Sequence, residues 1–438
     1  MPLIKPTLSF QQIINMNVGF FGIQYSFGLQ QTAVGPLYSF LGAHEGDLPL
    51  LFLAGPVTGL LIQPIIGALS DKTWHPKYGR RKPFFLIGAI ACSLCLFAFP
   101  FSRSLWMAAG YLWILDAANN TAMEPYRAFI ADKLPSEQLA TGFLTQSFFT
   151  GLGITLANVS LFIFQSFIKG QSEVGIPYWV YGSFFVGSFC SITSVLWSVV
   201  KTPEIPPSDE ELIHMRAQKR NFLDPFFEIF EAIGDMPRVM WQLALVYLFQ
   251  WYALFIYWQY VPLSIARSVW NTSSEENIQL YEEAAAWTGL VNGFYNVITF
   301  LSAFFLVGLA KKFGPKWVHI VCLLAATISL LILPTIHDKY LLFAPMIGFG
   351  VAWASMMGVP YLLVVESLPK ERYGVYMGII NMMIVIPMIV QTLSFGAIFK
   401  NILGSDPRNA ISFAGGLLAV AAIATAFIPT NESKIPQS

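Results

Sequence analysis

Apolar windows of about twenty residues, long enough to cross a hydrocarbon core as a helix, recur along the chain between short polar breaks. They predict spans at 13–41, 48–69, 83–101, 105–131, 138–167, 178–200, 240–265, 285–310, 316–335, 340–367, 372–399 and 408–429. One long polar stretch interrupts the series. It opens with the Pro-rich TPEIPPSDEEL and continues through Arg216, Lys219 and Arg220. The pattern predicts an N-terminal six-helix lobe at 1–200, a cytoplasmic linker at 201–238 and a C-terminal six-helix lobe at 239–438. The expected fold is all-α and integral to the membrane, with twelve transmembrane helices.

An internal repeat supports two equivalent halves, because segments roughly 235 residues apart share a pattern. Gly79 in YGRRKP matches Gly314 in FGPKWV, and Pro125-Tyr126 matches Pro360-Tyr361. Leu134-Pro135 with Glu137 matches Leu368-Pro369 with Glu371. Six crossings restore the side of the membrane, so the halves run parallel. This is the build of a two-lobed transporter with its site expected near the midplane between the lobes.

Composition agrees with the pattern. The chain is 55% hydrophobic and 11% charged, whereas soluble domains carry about 25% charged residues. Twenty-five basic residues balance twenty-five acidic ones, so no nucleic-acid footprint is expected. Charge position is more informative. The loop GALSDKTWHPKYGRRKP carries Asp71, Lys72, His75, Lys77, Arg80, Arg81 and Lys82 between two nearly uncharged spans. Placing both termini in the cytoplasm puts 18 Lys and Arg inside and 6 outside, with Arg127 within a span. The amino end lacks a small-residue cleavage site, so the first span is expected to remain in the mature chain. Cys92, Cys95, Cys190 and Cys322 fall inside spans and read as small buried residues. No metal spacing, phosphate loop or catalytic His or Cys arrangement is present, so neither an enzyme nor a cofactor is expected.

The pattern G-x-x-S-D-K, a spacer, then G-R-R-K-P resembles the signature loop of the major facilitator superfamily. In that family the acid and the arginines tie neighbouring helix ends together on the cytoplasmic side. The resemblance implies a cytoplasmic gate at Asp71, Arg80 and Arg81. Asp132 and Glu366 occupy similar positions in the two halves, opposite Arg80 and Arg81 or opposite Lys311, Lys312 and Lys316. Ion pairs that break as the lobes separate would explain this placement. Exposed pairs contribute about 0–1 kcal/mol each, enough to bias two states without locking either.

The fourth span, LDAANNTAMEPYRAFIADK, holds the most chemistry. A charge at mid-bilayer costs about 2.5–3.5 kcal/mol, so an acid there should face a cavity or a partner. Asp116, Asn120 and Arg127 share a helix face, but about 16 Å of axial rise separates the acid from the arginine. Glu124 lies three residues before Arg127 and is expected to form a buried charge pair with it beside Pro125. Asp116 then lacks a partner on its own helix and is the first candidate for proton carrier, with Glu124 the alternative. Burial without a counter-charge penalises the ionised form of an acid, as a proton carrier requires. His44, His75, His214, His319 and His337 are expected at loops or span ends, which disfavours a histidine relay.

The polar groups within spans are mostly amides and aromatics. Gln24, Gln31, Asn119, Asn120, Trp251, Tyr252, Asn292, Asn296, Tyr361 and Asn381 are the candidate substrate-binding residues. Amides donate and accept, which suits vicinal hydroxyls, while flat rings cover the apolar face of a sugar. The alternative is that amides join helices and Trp or Tyr mark the interface.

These residues resemble the sucrose-proton symporter family and its bacterial relatives, within the glycoside, pentoside and hexuronide cation-symporter group. FFGIQYSFGLQ, the Asp71 loop, LDAANN with PYRAFIAD, KKFGPKW and YGVYMGIINMMIVIP carry the likeness over most of the chain. The resemblance implies that sugar and proton move in the same direction, with Asp116 the protonatable acid and Arg127 assisting. Trp287 stands about where plant members have a functional arginine. Glu124 replaces a plant glycine, as in the bacterial branch, so maltose or another glucoside fits as readily as sucrose.

The expectation is a proton-coupled symporter of a neutral di- or oligosaccharide in a bacterial inner membrane, sufficient as a monomer, with sodium the alternative ion. A proton antiporter would be expected to show a Gly-Pro signature in the fifth span, which reads FFTGLGITLANV. A non-transporting sugar sensor would be expected to carry a longer tail than the segment after Pro429.

Overall fold

The computed structural model describes residues 5–207, 212–213, 227, 231–364 and 373–429. Its long helices are α1 (Phe10–Thr32), α2 (Ala54–Lys72), α3 (Lys82–Ala98), α4 (Leu105–Lys133), α5 (Ser136–Phe167) and α6 (Tyr178–Lys201). They continue with α7 (Arg238–Val269), α8 (Ile278–Phe313), α9 (Pro315–Ile332), α10 (Phe343–Val364), α11 (Tyr373–Asn401) and α12 (Pro407–Ala426). Among the described residues nine helices are long and apolar enough to cross a membrane. The chain is a multi-pass membrane protein. Outside those nine are α1, α4 and α8, the helices in which amides or acids interrupt the apolar run. Such groups need partners inside the protein, because lipid offers none.

Proline resets two of the expected spans. A continuous first helix would drive the ring of Pro36 into the carbonyl of Thr32, and α1 ends at that residue. A separate short helix, Val34–Phe40, then places Pro36 in its first turn, where a missing N–H costs little. Pro56 has the same relation to Phe52. A single turn, Leu48–Leu51, stops before it and α2 starts at Ala54. By contrast, α8 begins well before the expected residue 285. Glu282 and Glu283 read as a polar break, but glutamate is a good helix former, and Glu282 accepts from the Trp179 indole at 3.3 Å.

The chain forms two compact units. The first holds Met1–Phe227 with Ser274–Gly293, and the second holds Glu228–Ser273 with Phe294–Ser438. Within the first, α1 packs on α5 and α6, and α3 packs on α4 and α6. The same scheme recurs in the second, where α7 packs on α11 and α12, and α9 packs on α10 and α12. Each partner has moved six helices along the chain, as the repeat requires. Gly79 and Gly314, matched by sequence, also share a left-handed φ of +80° and +84°. Glycine reaches that conformation without steric cost.

Two close approaches fix α4 and α1. A Cβ on Gly88 of α3 would lie 2.7 Å from the carbonyl oxygen of Ala118, so the backbones of α3 and α4 nearly touch. A Cβ on Gly22 of α1 would lie 2.4 Å from the Cys190 carbonyl of α6. Nearer the end of the unit that carries the Asp71 loop, Phe85 stacks obliquely on Tyr126 at 4.8 Å and on Phe129 at 5.7 Å, within an apolar cluster including Phe20 and Ile130.

Candidate functional site

Asp116 sits midway along α4 and is 5% exposed. Three and four residues later, two amides fasten α4 to its neighbours. Asn119 Nδ2 donates to Ser26 Oγ of α1 at 2.8 Å, and the Cys92 thiol of α3 donates to Asn119 Oδ1 at 3.2 Å. Asn120 Nδ2 donates to Thr58 Oγ1 of α2 at 3.2 Å and to the Asp116 carbonyl at 2.9 Å. Its Oδ1 accepts from Gln63 Nε2 at 2.7 Å. Residues three and four apart share a helix side, so these bonds bracket the acid and hold its helix in register. Both amide protons of Asn120 are thereby used within the protein. Its capacity for a substrate is reduced to a remaining carbonyl lone pair.

The carboxyl stands over Gly55, where a Cβ would lie 3.6 Å from Oδ2 and 3.8 Å from Oδ1. The Gln30 amide faces it, although Gln30 Nε2 meets no acceptor in strict hydrogen-bond geometry. Tyr38, Cys92 and Cys95 are within electrostatic range. No cation among the described residues contributes to the acid's surroundings. Cys92 is more than apolar filler, since its thiol also reaches Ser26 Oγ at 3.4 Å.

The expected Glu124–Arg127 pair is not formed. Arg127 is exposed and makes no ion pair among the described residues, while half-buried Glu124 packs its Cγ 3.8 Å from where a Cβ on Gly67 of α2 would sit. Glu124 thus packs against α2 instead of turning back to the arginine. Gln24 is buried with Nε2 4.0 Å from Met123 Sδ, and Gln31 is half-buried. Asn292 donates to Thr32 Oγ1 at 3.1 Å, and Thr32 in turn bonds Asn158 Oδ1. Trp287 lies edge-on to Phe162 at 5.5 Å.

In the second unit Trp251, alone of the expected residues, falls into a cluster of tryptophans. Trp251 lies 5.9 Å from Trp353 and 6.5 Å from Trp258, and Trp258 lies 5.6 Å from Trp353. Trp251 Nε1 and both amide atoms of Gln250 are buried without hydrogen-bond partners among the described residues. Such orphans are costly unless water or a ligand meets them. Tyr252 shares a hydrogen bond with Ser394 at 2.8 Å. Asn296 is buried and Asn381 half-buried, while the Tyr361 side chain lies outside the described residues. His319 lies near the start of α9, as expected, but is fully buried there with Nδ1 2.9 Å from Ser355 Oγ. The helix starts four residues earlier, at Pro315, and α10 covers the ring.

At the end of the first unit that carries the Asp71 loop, Arg81 is buried. Its Nε donates to Asp132 Oδ2 at 2.8 Å and its Nη1 to Ser70 Oγ at 2.6 Å. This pair braces the ends of α2, α3 and α4 inside one unit. Arg80 Nε reaches the Ser70 carbonyl at 3.4 Å. Sequence reasoning missed Glu204, just beyond α6. Its carboxylate accepts from the backbone N–H groups of Arg80, Arg81 and Lys82 at 2.8, 2.9 and 2.9 Å, capping α3 with a negative charge. Lys133 bonds the neighbouring Pro203 carbonyl, and Lys82 Nζ bonds the Val199 carbonyl at 2.9 Å. The Asp71 and Lys311 side chains, and Glu366 altogether, lie outside the described residues. Lys316 lies over the Trp317 ring at 5.9 Å and Lys312 over Phe313 at 5.1 Å.

A profile of the Major Facilitator Superfamily matches residues 16–392. The chain belongs to this superfamily. A sucrose transport protein of Arabidopsis thaliana is 26% identical over 92% of this chain and 88% of its own length. Another from Oryza sativa subsp. indica is 25% identical over 94% and 92%. Among solved structures, the nucleoside transporter NupG superposes with a TM-score of 0.70 at 13% identity, covering 96% of this chain and 99% of its own. The xylose transporter XylE from E. coli, in a partially occluded inward-open form, gives 0.68 at 14%, covering 97% and 100%. These superpositions show the superfamily fold. Within it, the loop at Gly79 and the brace at Arg81 are the parts most directly readable from local sequence.

Proposed function

We propose that the protein is a symporter that carries a neutral di- or oligosaccharide, of the sucrose or maltose class, together with a proton by alternating access of two six-helix halves. The observation that carries this reading is the Asp116 carboxyl, buried midway along a membrane helix with no cation beside it among the described residues, one turn before two amides that fix its helix. Protonation removes the cost of holding a charge there, and loss of the proton restores that cost, so the acid's occupancy can be linked to the state of the transporter. Relatives named as sucrose transport proteins along nearly the whole chain supply the substrate class. The Trp251, Trp258 and Trp353 rings with the orphaned Gln250 amide offer apolar faces and hydrogen bonds suited to a sugar. Arg127, exposed and without an ion-pair partner among the described residues, is available to assist coupling or binding.

The basic Asp71 loop favours an orientation with both termini in the cytoplasm. Glu124 and Trp287 favour the bacterial branch and hence the inner membrane of a bacterium. Arg80, Arg81, Asp132 and Glu204 would serve as a brace on the cytoplasmic side, with Asp71, Lys311, Lys316 and Glu366 completing the gate. The substrate class is tested by thermal shift of purified protein with sucrose, maltose and trehalose. A sugar at 100 times its Kd should stabilise the fold by about 2.7 kcal/mol, whereas an ionic control should not. Stabilisation by a nucleoside, with none by any glucoside, would overturn the assignment.

A further inference from the structure

A cavity lies in the first unit, at the end opposite the Asp71 loop. It has a volume of 380 Å³ and is lined by Ser39, Phe40, Gln171, Ser274, Glu275 and Ile278 together with Gly42, Ala43 and Gly175. These residues come from three separate places: the end of the Val34–Phe40 helix, the turn between α5 and α6, and the start of α8. Behind the lining, further rings pack on Phe40. Phe40 meets Trp179 edge-on at 6.2 Å and Tyr281 at 5.7 Å, and the Tyr281 hydroxyl donates to Ser39 Oγ at 3.2 Å.

One wall is a pinned turn. The Ser172 N–H donates to the Ile176 carbonyl at 2.9 Å, the Gly175 N–H to Ser172 at 3.0 Å and the Tyr178 N–H to Gly170 at 3.0 Å. Gly170 and Gly175 adopt φ values of +93° and +86°, which glycine permits. Ile176 is fully buried beneath the turn, anchoring it. The cavity is therefore shaped by ordered backbone, as a small-molecule site needs.

Its chemistry selects a ligand class. Gln171 offers donors and acceptors, Ser274 a hydroxyl and Glu275 a carboxylate, beside the apolar Phe40 and Ile278. Glu275 is largely exposed at the rim, 3.6 Å from the His44 ring. With no lysine or arginine in the lining, an anion meets the Glu275 charge uncompensated. The hydroxyls, amide and carboxylate match a neutral polyol. We infer that this cavity is a saccharide subsite on the outer face, separate from the Asp116 region and filled before transport. The inference rests on the sugar-symport reading and deepens it.

The test uses full-length Ser274→Cys protein in detergent, following alkylation of that cysteine by a maleimide with peptide mass spectrometry. Maltose or sucrose should slow alkylation severalfold. Gln171→Ala or Glu275→Gln, added to Ser274→Cys, should remove the protection and raise the KM for uptake. If neither sugar protects while the same protein still takes one up, the subsite is wrong and symport stands. Protection that survives both added substitutions arises elsewhere and likewise overturns the subsite. Absence of both protection and uptake for every sugar in the panel overturns the symport reading, and the subsite with it.

Discussion

Replacing Asp116 with asparagine is expected to abolish pH-gradient-driven sugar accumulation while leaving sugar exchange at equal concentrations intact. One proton moving with each sugar across a gradient of one pH unit is worth about 1.4 kcal/mol, which sustains about tenfold accumulation. An asparagine has no proton to carry, so the internal concentration should stop at the external one. Asparagine keeps the size and a hydrogen-bonding carbonyl, and the brackets at Asn119 and Asn120 do not depend on the carboxyl oxygens. The fold should therefore survive. Proteoliposomes containing the variant, given an inward proton gradient and labelled sugar, provide the readout. Accumulation equal to that of the unaltered protein would remove Asp116 from the coupling step.

The second large effect concerns Glu204. Three backbone N–H groups at the start of α3 point at one carboxylate, and such charge-assisted bonds contribute about 1.5–3 kcal/mol each when isolated. Because they act together, about 2–3 kcal/mol for the whole cap is the reasonable expectation. Glu204→Ala should lower the melting temperature of the purified protein by several degrees and reduce uptake. Glu204→Gln should fall between, since its amide oxygen still accepts but carries no charge. Gly79→Ala attacks the same contact from the other side, because its Cβ would lie 2.4 Å from Glu204 Oε1 at a left-handed φ. Unchanged melting in both Glu204→Ala and Gly79→Ala would show that the cap does not stabilise this unit.

The places where sequence reading succeeded and failed have physical causes. Apolar windows located the helices because burial in lipid demands a continuous run, and a repeat of single residues was readable because Gly79 and Gly314 answer the same backbone requirement. Asp116 was readable because an acid inside an apolar run is costly wherever it faces. Glu204 was not, because it binds backbone N–H groups that leave no trace in the identity of the partner residues. Gln30 rather than its neighbour Gln31 faces the acid, a distinction of helix phase finer than the sequence pattern resolves near the break at Ala33. The Glu124–Arg127 expectation rested on spacing along one helix, whereas Glu124 packs against Gly67 of α2, a contact that spacing does not reveal. His319 does lie near the start of α9, but its burial by α10 depends on packing rather than on position in the chain.

The central claim is that a proton enters with the sugar. The most direct measurement is the pH of a weakly buffered medium around proteoliposomes, without sodium, when maltose or sucrose is added outside. The account predicts alkalinisation outside that follows sugar uptake and vanishes in Asp116→Asn. Sugar uptake with no change in external pH, or uptake that appears only when sodium is supplied, would contradict it.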